Sequence, residues 1–98
     1  MRDLFIKKLC ESSKKNKKLF LMVGDLGFSV IEKFQKLFPN KFVNAGVSEQ
    51  NMMGMAAGMA SEGVHVFVYS IANFPTFRCA EQIRNDVDYH NFPVTIVA

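Results

Sequence analysis

The sequence has no apolar run approaching the ~20 residues that a membrane-spanning helix needs, which excludes a chain that crosses a bilayer as a helix. Nor does it open on a secretory signal. Met1-Arg-Asp-Leu-Phe-Ile-Lys-Lys8 places an acid and lysines where an unbroken apolar core would be required. The expectation is a soluble, cytoplasmic protein. Cysteine is scarce, and Cys10 and Cys79 follow no metal or redox spacing, so both are expected as reduced packing residues rather than a disulfide. Histidine is as scarce. His65 and His90 have no partner at ligand spacing and are expected to be structural, with no metal held by this chain. Repeats, low-complexity segments and linkers are also missing, so the 98 residues are expected to form one domain with a core of its own.

What is present is a globular composition, 49% hydrophobic against 21% charged, with its positive charge gathered at one end. Lys7, Lys8, Lys14, Lys15, Lys17 and Lys18 carry the basic excess, and the remainder is mildly acidic. No aromatic residue interleaves with the lysines from Lys14 to Lys18 and no recognition motif accompanies them. The run therefore reads as a solvated turn after a first helix, not as a nucleic-acid surface.

Leu4, Phe5 and Leu9 give that first helix, which ends in the polar connection over residues 12–18 and covers an edge of a sheet. Leu19–Val23 is a continuous apolar run closed by Gly24-Asp-Leu-Gly27, the pattern of a buried parallel strand and its carboxyl-end turn. The turn lacks the third glycine of a dinucleotide fingerprint and the Lys-Ser/Thr of a P-loop. Ser29 is placed to cap a helix with Ile31, Phe34, Leu37 and Phe38 on its core face, stopped by Pro39-Asn40. Residues 42–45 give a second strand and residues 64–69 a third. A helix over 75–88 starts with Pro75 in its first turn, and residues 93–98 give a fourth strand. Arg78, Glu81, Arg84 and Asp86 are expected as the charged face of the last helix, contact with a sugar phosphate being the alternative for Arg78. Strands alternating with helices predict a mostly parallel, three-layer α/β sheet with helices on both faces and ligands at the carboxyl ends of the strands. Those ends carry Asp25, Gly46 to Glu49, and Tyr69 to Phe77.

The richest stretch is Gly46-Val-Ser-Glu-Gln-Asn-Met-Met-Gly-Met-Ala-Ala-Gly-Met-Ala-Ser-Glu-Gly63. Ser48 is a good N-cap, and Met52, Met55, Ala56 and Met59 recur at helical spacing as one apolar face, which predicts a helix over 48–61. Gly54 and Gly58 lie one above the other beside Ala57 and Ser61. Each glycine costs a helix about 1 kcal/mol relative to alanine, a loss accepted mainly where another backbone comes close. Glu49, read locally, is an acid favoured in the first turn by the helix dipole by about 0.3–1 kcal/mol.

The run from Gly46 to Ala60 resembles the pyrimidine-binding (Pyr) domain of thiamine-diphosphate enzymes of the transketolase group, where Gly-x-x-Glu-(Gln/His) opens a small-residue helix. The resemblance implies that Glu49 hydrogen-bonds ring nitrogen N1′ of the cofactor's aminopyrimidine. It also implies that Phe74, in Asn73-Phe74, stacks on that ring, with Phe77 a further candidate for the aromatic wall, and that Asp25 lies near the thiazolium ring. The residues by themselves leave alternatives: a dipole-favoured acid, an aromatic plug at the sheet edge, an ordinary turn aspartate. The family's Gly-Asp-Gly segment with its following Asn, which holds Mg²⁺ and the diphosphate, does not occur.

The resemblance thus implies half a site, the other half coming from a companion subunit, with self-association through the 48–61 helix. The implied activity is transfer of a two-carbon ketol unit between sugar phosphates by a split transketolase, the single chain being inactive and its Pyr domain truncated after the last strand. Tyr69-Ser70 resembles 1-deoxyxylulose-5-phosphate synthase, whereas Asn73-Phe74 resembles transketolases and 2-oxo-acid dehydrogenase beta subunits. A non-catalytic α/β interaction module or inactive fragment is the reading of another class.

Overall fold

Five successive apolar residues cannot be shielded from one side alone, and the chain buries Leu19–Val23 between two helical layers. A computed structural model describes residues 1–98. In it β1 (Leu19–Val23) turns Leu19, Leu21 and Val23 to one face and Met22 to the other. β3 (His65–Tyr69) does the same, with Phe67 and Tyr69 on the first face and Val66 and Val68 on the second. β2 (Phe42–Asn44) and β4 (Val94–Val97) complete a sheet of order β2-β1-β3-β4 in which every pairing is parallel. Leu21 pairs with Phe42 and Phe67, and Val68 with Ile96, so the register is continuous across the sheet.

The first face is covered by α1 (Arg2–Lys15), through Ile6, Leu9 and Cys10, and by α2 (Glu32–Leu37), through Phe34. The second is covered by α3 (Glu49–Ser61) and by a composite helix. That helix runs as a 3₁₀ turn at Phe77–Cys79, one α turn (α4, Ala80–Gln82) and a π-helical stretch, Ile83–Asp88. No helix is long and apolar enough to cross a membrane.

Several local expectations give way to packing. On α1 Leu4 is exposed, and Ile6 is buried in its place. Ser29 does not cap α2. It sits at φ 68 and its N–H donates to Glu32 Oε1 at 2.7 Å, while α2 starts only at Glu32. Leu37 is exposed as well. On α3 the buried set is Met52, Met53, Ala56, Ala57 and Ala60, so Met53 replaces Met55, which faces solvent, and Met59 is half-buried. Pro75 is buried ahead of the helix rather than in its first turn. β4 forms one edge of the sheet and is half-buried throughout.

The order of the strands has one consequence for ligands. The chain leaves β1 towards α2 on the first face and leaves β3 towards the composite helix on the second, so the two connections diverge and a crevice opens between the carboxyl ends of β1 and β3.

Candidate functional site

Gly24 and Ser70 are the first residues past β1 and β3. The Gly24 N–H donates to the Tyr69 carbonyl at 3.1 Å, which carries the ladder one step further and sets the two residues side by side. A Cβ at Gly24 would stand 3.2 Å from Ser70 Oγ and 3.7 Å from Glu49 Oε1. The absence of a side chain here lets the Glu49 carboxylate reach over the end of β1. Ser70 is 1% exposed and its hydroxyl has no hydrogen-bond partner, which is uncommon for a buried polar group.

Glu49 is the first residue of α3 and only 4% exposed. Ser48 occupies the N-cap position as expected, but its hydroxyl makes no capping bond. The approach to α3 is held instead by Asn44 at the end of β2. Asn44 Oδ1 accepts from the N–H of Gly46 at 2.9 Å and of Asp25 at 3.0 Å, and Asn44 Nδ2 donates to Asp25 Oδ1 at 3.0 Å. Gly46 takes φ 76 and Asp25 φ 54, left-handed conformations that glycine adopts freely and aspartate tolerates. One amide thus ties the loop after β1 to the loop that delivers Glu49.

The partner of Glu49 comes from the composite helix. Arg78 Nη1 lies 3.5 Å from Glu49 Oε2, and the same guanidinium lies over the Phe74 ring, 4.2 Å from its centroid. The Arg78 side chain is 50% exposed, so a buried carboxylate faces a half-solvated cation. The contact is long beside the ~2.7–2.9 Å usual for a charge-assisted bond. Behind it, the Arg78 N–H donates to the Asn73 carbonyl at 3.1 Å, and Gln50 Nε2 donates to the Arg78 carbonyl at 3.0 Å. Cys79 Sγ donates to the Phe74 carbonyl at 3.2 Å. Burial pushes this thiol above its ordinary pKa, the Glu49 charge adds to that, and Arg78 opposes it.

A cavity of about 230 Å³ is lined by Ser48, Glu49, Gln50 and Arg78. A larger one, about 570 Å³, lies under the start of α1 at the ends of β3 and β4, and its lining is mostly apolar, with Arg2 and Ser70 among its polar members. The smaller cavity holds the buried carboxylate.

Of the residues singled out from the sequence, Glu49 and Phe74 are brought together through Arg78. Asp25 is at the crevice, beside Gly24, with its carboxylate engaged by Asn44. Phe77 is not drawn in: it is 84% exposed and stacks on no other ring. The sequence gives Gly24, Asn44 and Ser70 no site role, because each is a small residue at a strand end, where only the strand order reveals what it touches. His65 Nε2 lies 2.8 Å from Thr95 Oγ1 and its ring stacks on Phe67, the structural role expected of it.

Residues 1–98 match the family profile described as "Transketolase, pyrimidine binding domain". The chain belongs to this family. Among curated relatives of this Pyr-domain chain, a putative transketolase C-terminal section from Methanocaldococcus jannaschii is 46% identical over 99 residues, covering 100% of the chain and 31% of the relative. A 1-deoxy-D-xylulose-5-phosphate synthase from Bacillus cereus is 41% identical over 70 residues, covering 69% of the chain and 11% of the relative. A solved structure described as "Split gene transketolase, inactive beta4 tetramer" matches with a TM-score of 0.89 at 38% identity, over 99% of the chain and 33% of that structure's chain. The chain therefore spans about a third of the length of the transketolase relatives it matches. The expected α/β architecture of a Pyr-type domain is the one observed.

Proposed function

We propose that this chain supplies the pyrimidine-binding half of a cytoplasmic, two-subunit transketolase-like enzyme that moves a two-carbon ketol unit between sugar phosphates with thiamine diphosphate and Mg²⁺. The observation that carries the reading is the buried Glu49 carboxylate at the β1–β3 crevice of a domain of this family. The surroundings suit a flat heteroaromatic ring. Phe74 offers a ring face, Gly24 leaves the space a side chain would fill, and the unpartnered Ser70 hydroxyl is available to a polar ligand atom.

When bound, thiamine diphosphate supplies the carbon nucleophile that ketol transfer needs. Glu49 would hold a proton shared with ring nitrogen N1′, in a place where water competes poorly for it. Phe74 stacks against the ring. Asp25, fixed by Asn44, is assigned to the thiazolium side, and exposed Phe77 to the outer rim. The chain has no Gly-Asp-Gly segment, so the diphosphate and Mg²⁺ are assigned to a companion subunit. The transketolase assignment is preferred to the synthase because the putative transketolase C-terminal section is 46% identical over the whole chain, whereas a synthase that matches over 95% of it is 35% identical. Self-association is assigned to α3, where a Cβ on Gly54 or Gly58 would meet no heavy atom of the chain within 4 Å.

Calorimetric titration tests the reading. Thiamine diphosphate with Mg²⁺ is expected to bind the purified chain negligibly and to bind once a companion carrying Gly-Asp-Gly is added. Tight binding to the chain alone would contradict it.

A further inference from the structure

Resting on the cofactor-site reading above, we propose that Arg78 is a built-in occupant of the place that the cofactor's ring takes: its guanidinium covers Phe74 and Glu49 beforehand and leaves both when the ring arrives. Two contacts meet in this one side chain. The guanidinium carbon stands 4.2 Å from the centroid of the Phe74 ring, and Nη1 stands 3.5 Å from Glu49 Oε2. Phe74 and Glu49 are the groups assigned to the ring, one to its face and the other to its edge. A guanidinium is planar, cationic and rimmed with N–H donors, so it meets the same two requirements at once. Two flat groups cannot lie on the same side of one phenyl ring.

The arrangement is suited to exchange. The Arg78–Glu49 contact is long, and the Arg78 side chain is half exposed. The backbone beneath it is pinned by the bonds from Gln50 Nε2 and to the Asn73 carbonyl. Displacement is therefore a rotation of the side chain into solvent past the cavity that Ser48 and Gln50 border, with α3 and the composite helix left in place. In its covering position the guanidinium gives the buried Glu49 carboxylate a cation. The arriving ring takes over that partnership through one proton, taken up from solvent and shared between its N1′ and the Glu49 carboxylate, and the charge freed on Arg78 goes to water. The apparent affinity for the cofactor is then its intrinsic affinity reduced by the fraction of molecules in which Arg78 has swung out.

The test is titration of thiamine diphosphate with Mg²⁺ into the complex of this chain and its companion, by calorimetry and stopped-flow. The variants are Arg78→Met, which keeps the apolar stem, Arg78→Lys, which keeps the charge without the flat fork, and Phe74→Ala. Arg78→Met is expected to bind about two- to tenfold more tightly, with the gain in the association rate, and Arg78→Lys to fall between it and the unaltered protein. Phe74→Ala is expected to bind more weakly. Unchanged or weaker binding by Arg78→Met while Phe74→Ala is still weakened overturns the displacement and leaves the cofactor site standing. Identical affinity in all three variants overturns both.

Discussion

Ala72 adopts φ 46 just beyond β3, a left-handed conformation that an alanine pays for sterically and a glycine does not. Its carbonyl accepts from Thr76 Oγ1 at 3.1 Å, which holds the turn leading to Phe74. Ala72→Gly keeps that carbonyl and is predicted to stabilise the chain by about 0.5–1 kcal/mol, read as a higher urea midpoint with an unchanged slope. The two thiols give a second prediction at this scale. Burial raises the pKa of Cys10 and Cys79 above the ordinary thiol value. A thiol whose folded pKa exceeds its unfolded one contributes stability that is complete below about pH 9 and lost as pH rises through the folded value. Labelling by a thiol reagent at pH 7 is predicted to be slow in the native chain and fast in urea. Rapid native labelling of Cys79 would show that the segment from Phe74 to Cys79 opens readily.

Residue chemistry was only partly legible in the sequence. Glu49 stood out because its motif is contiguous, from Gly46 to Gln50. Arg78 did not, since its contacts to Glu49 and Phe74 depend on a helix that begins in a 3₁₀ turn and swings it back across the crevice. From the sequence it reads as a charge on an exposed helix face, with a sugar phosphate as its alternative partner, and nothing there points to Glu49 or Phe74.

At the scale of the element, α3 shows what periodicity decides and what it leaves open. Its span from Glu49 to Ser61 agrees with the expected 48–61, because Ser48 and Gly63 bracket it. The buried face differs, because methionine and alanine occupy nearly every position and spacing alone does not choose between Met53 and Met55. Contact with Met22, Val66 and Val68 on the second face of the sheet makes the choice. Gly54 and Gly58 then point away from this core towards a shallow cavity of about 250 Å³ bordered by Asp86, His90 and Phe92. Within the isolated chain nothing requires them to be glycine. Gly54→Ala and Gly58→Ala are each predicted to stabilise the isolated chain by about 0.5–1 kcal/mol, since alanine is the better helix former and the added methyl meets no atom. Both are predicted to weaken self-association, where a second backbone comes close. Thermal melting and sedimentation of the same variants check the two halves, and unaltered sedimentation would remove α3 from the interface.

For the whole molecule, alternation of strands and helices announced the parallel sheet, and every expected strand is present within a residue or two of its expected ends. The order β2-β1-β3-β4 was not legible, although it decides where the site is. By bringing β3 alongside β1 it sets Ser70 beside Gly24 and makes room for Glu49 between them, residues separated by more than twenty positions in sequence. The central claim is that Glu49, so placed, activates a cofactor whose other end is held by a companion subunit. Exchange of the thiazolium C2 proton of bound thiamine diphosphate, followed by quenched-flow NMR in the assembled complex, tests that claim most directly. Glu49→Gln, with its fold checked by circular dichroism and its cofactor still bound, is predicted to slow the exchange by about 10²–10⁴-fold, and an exchange rate equal to that of the unaltered protein would contradict the account.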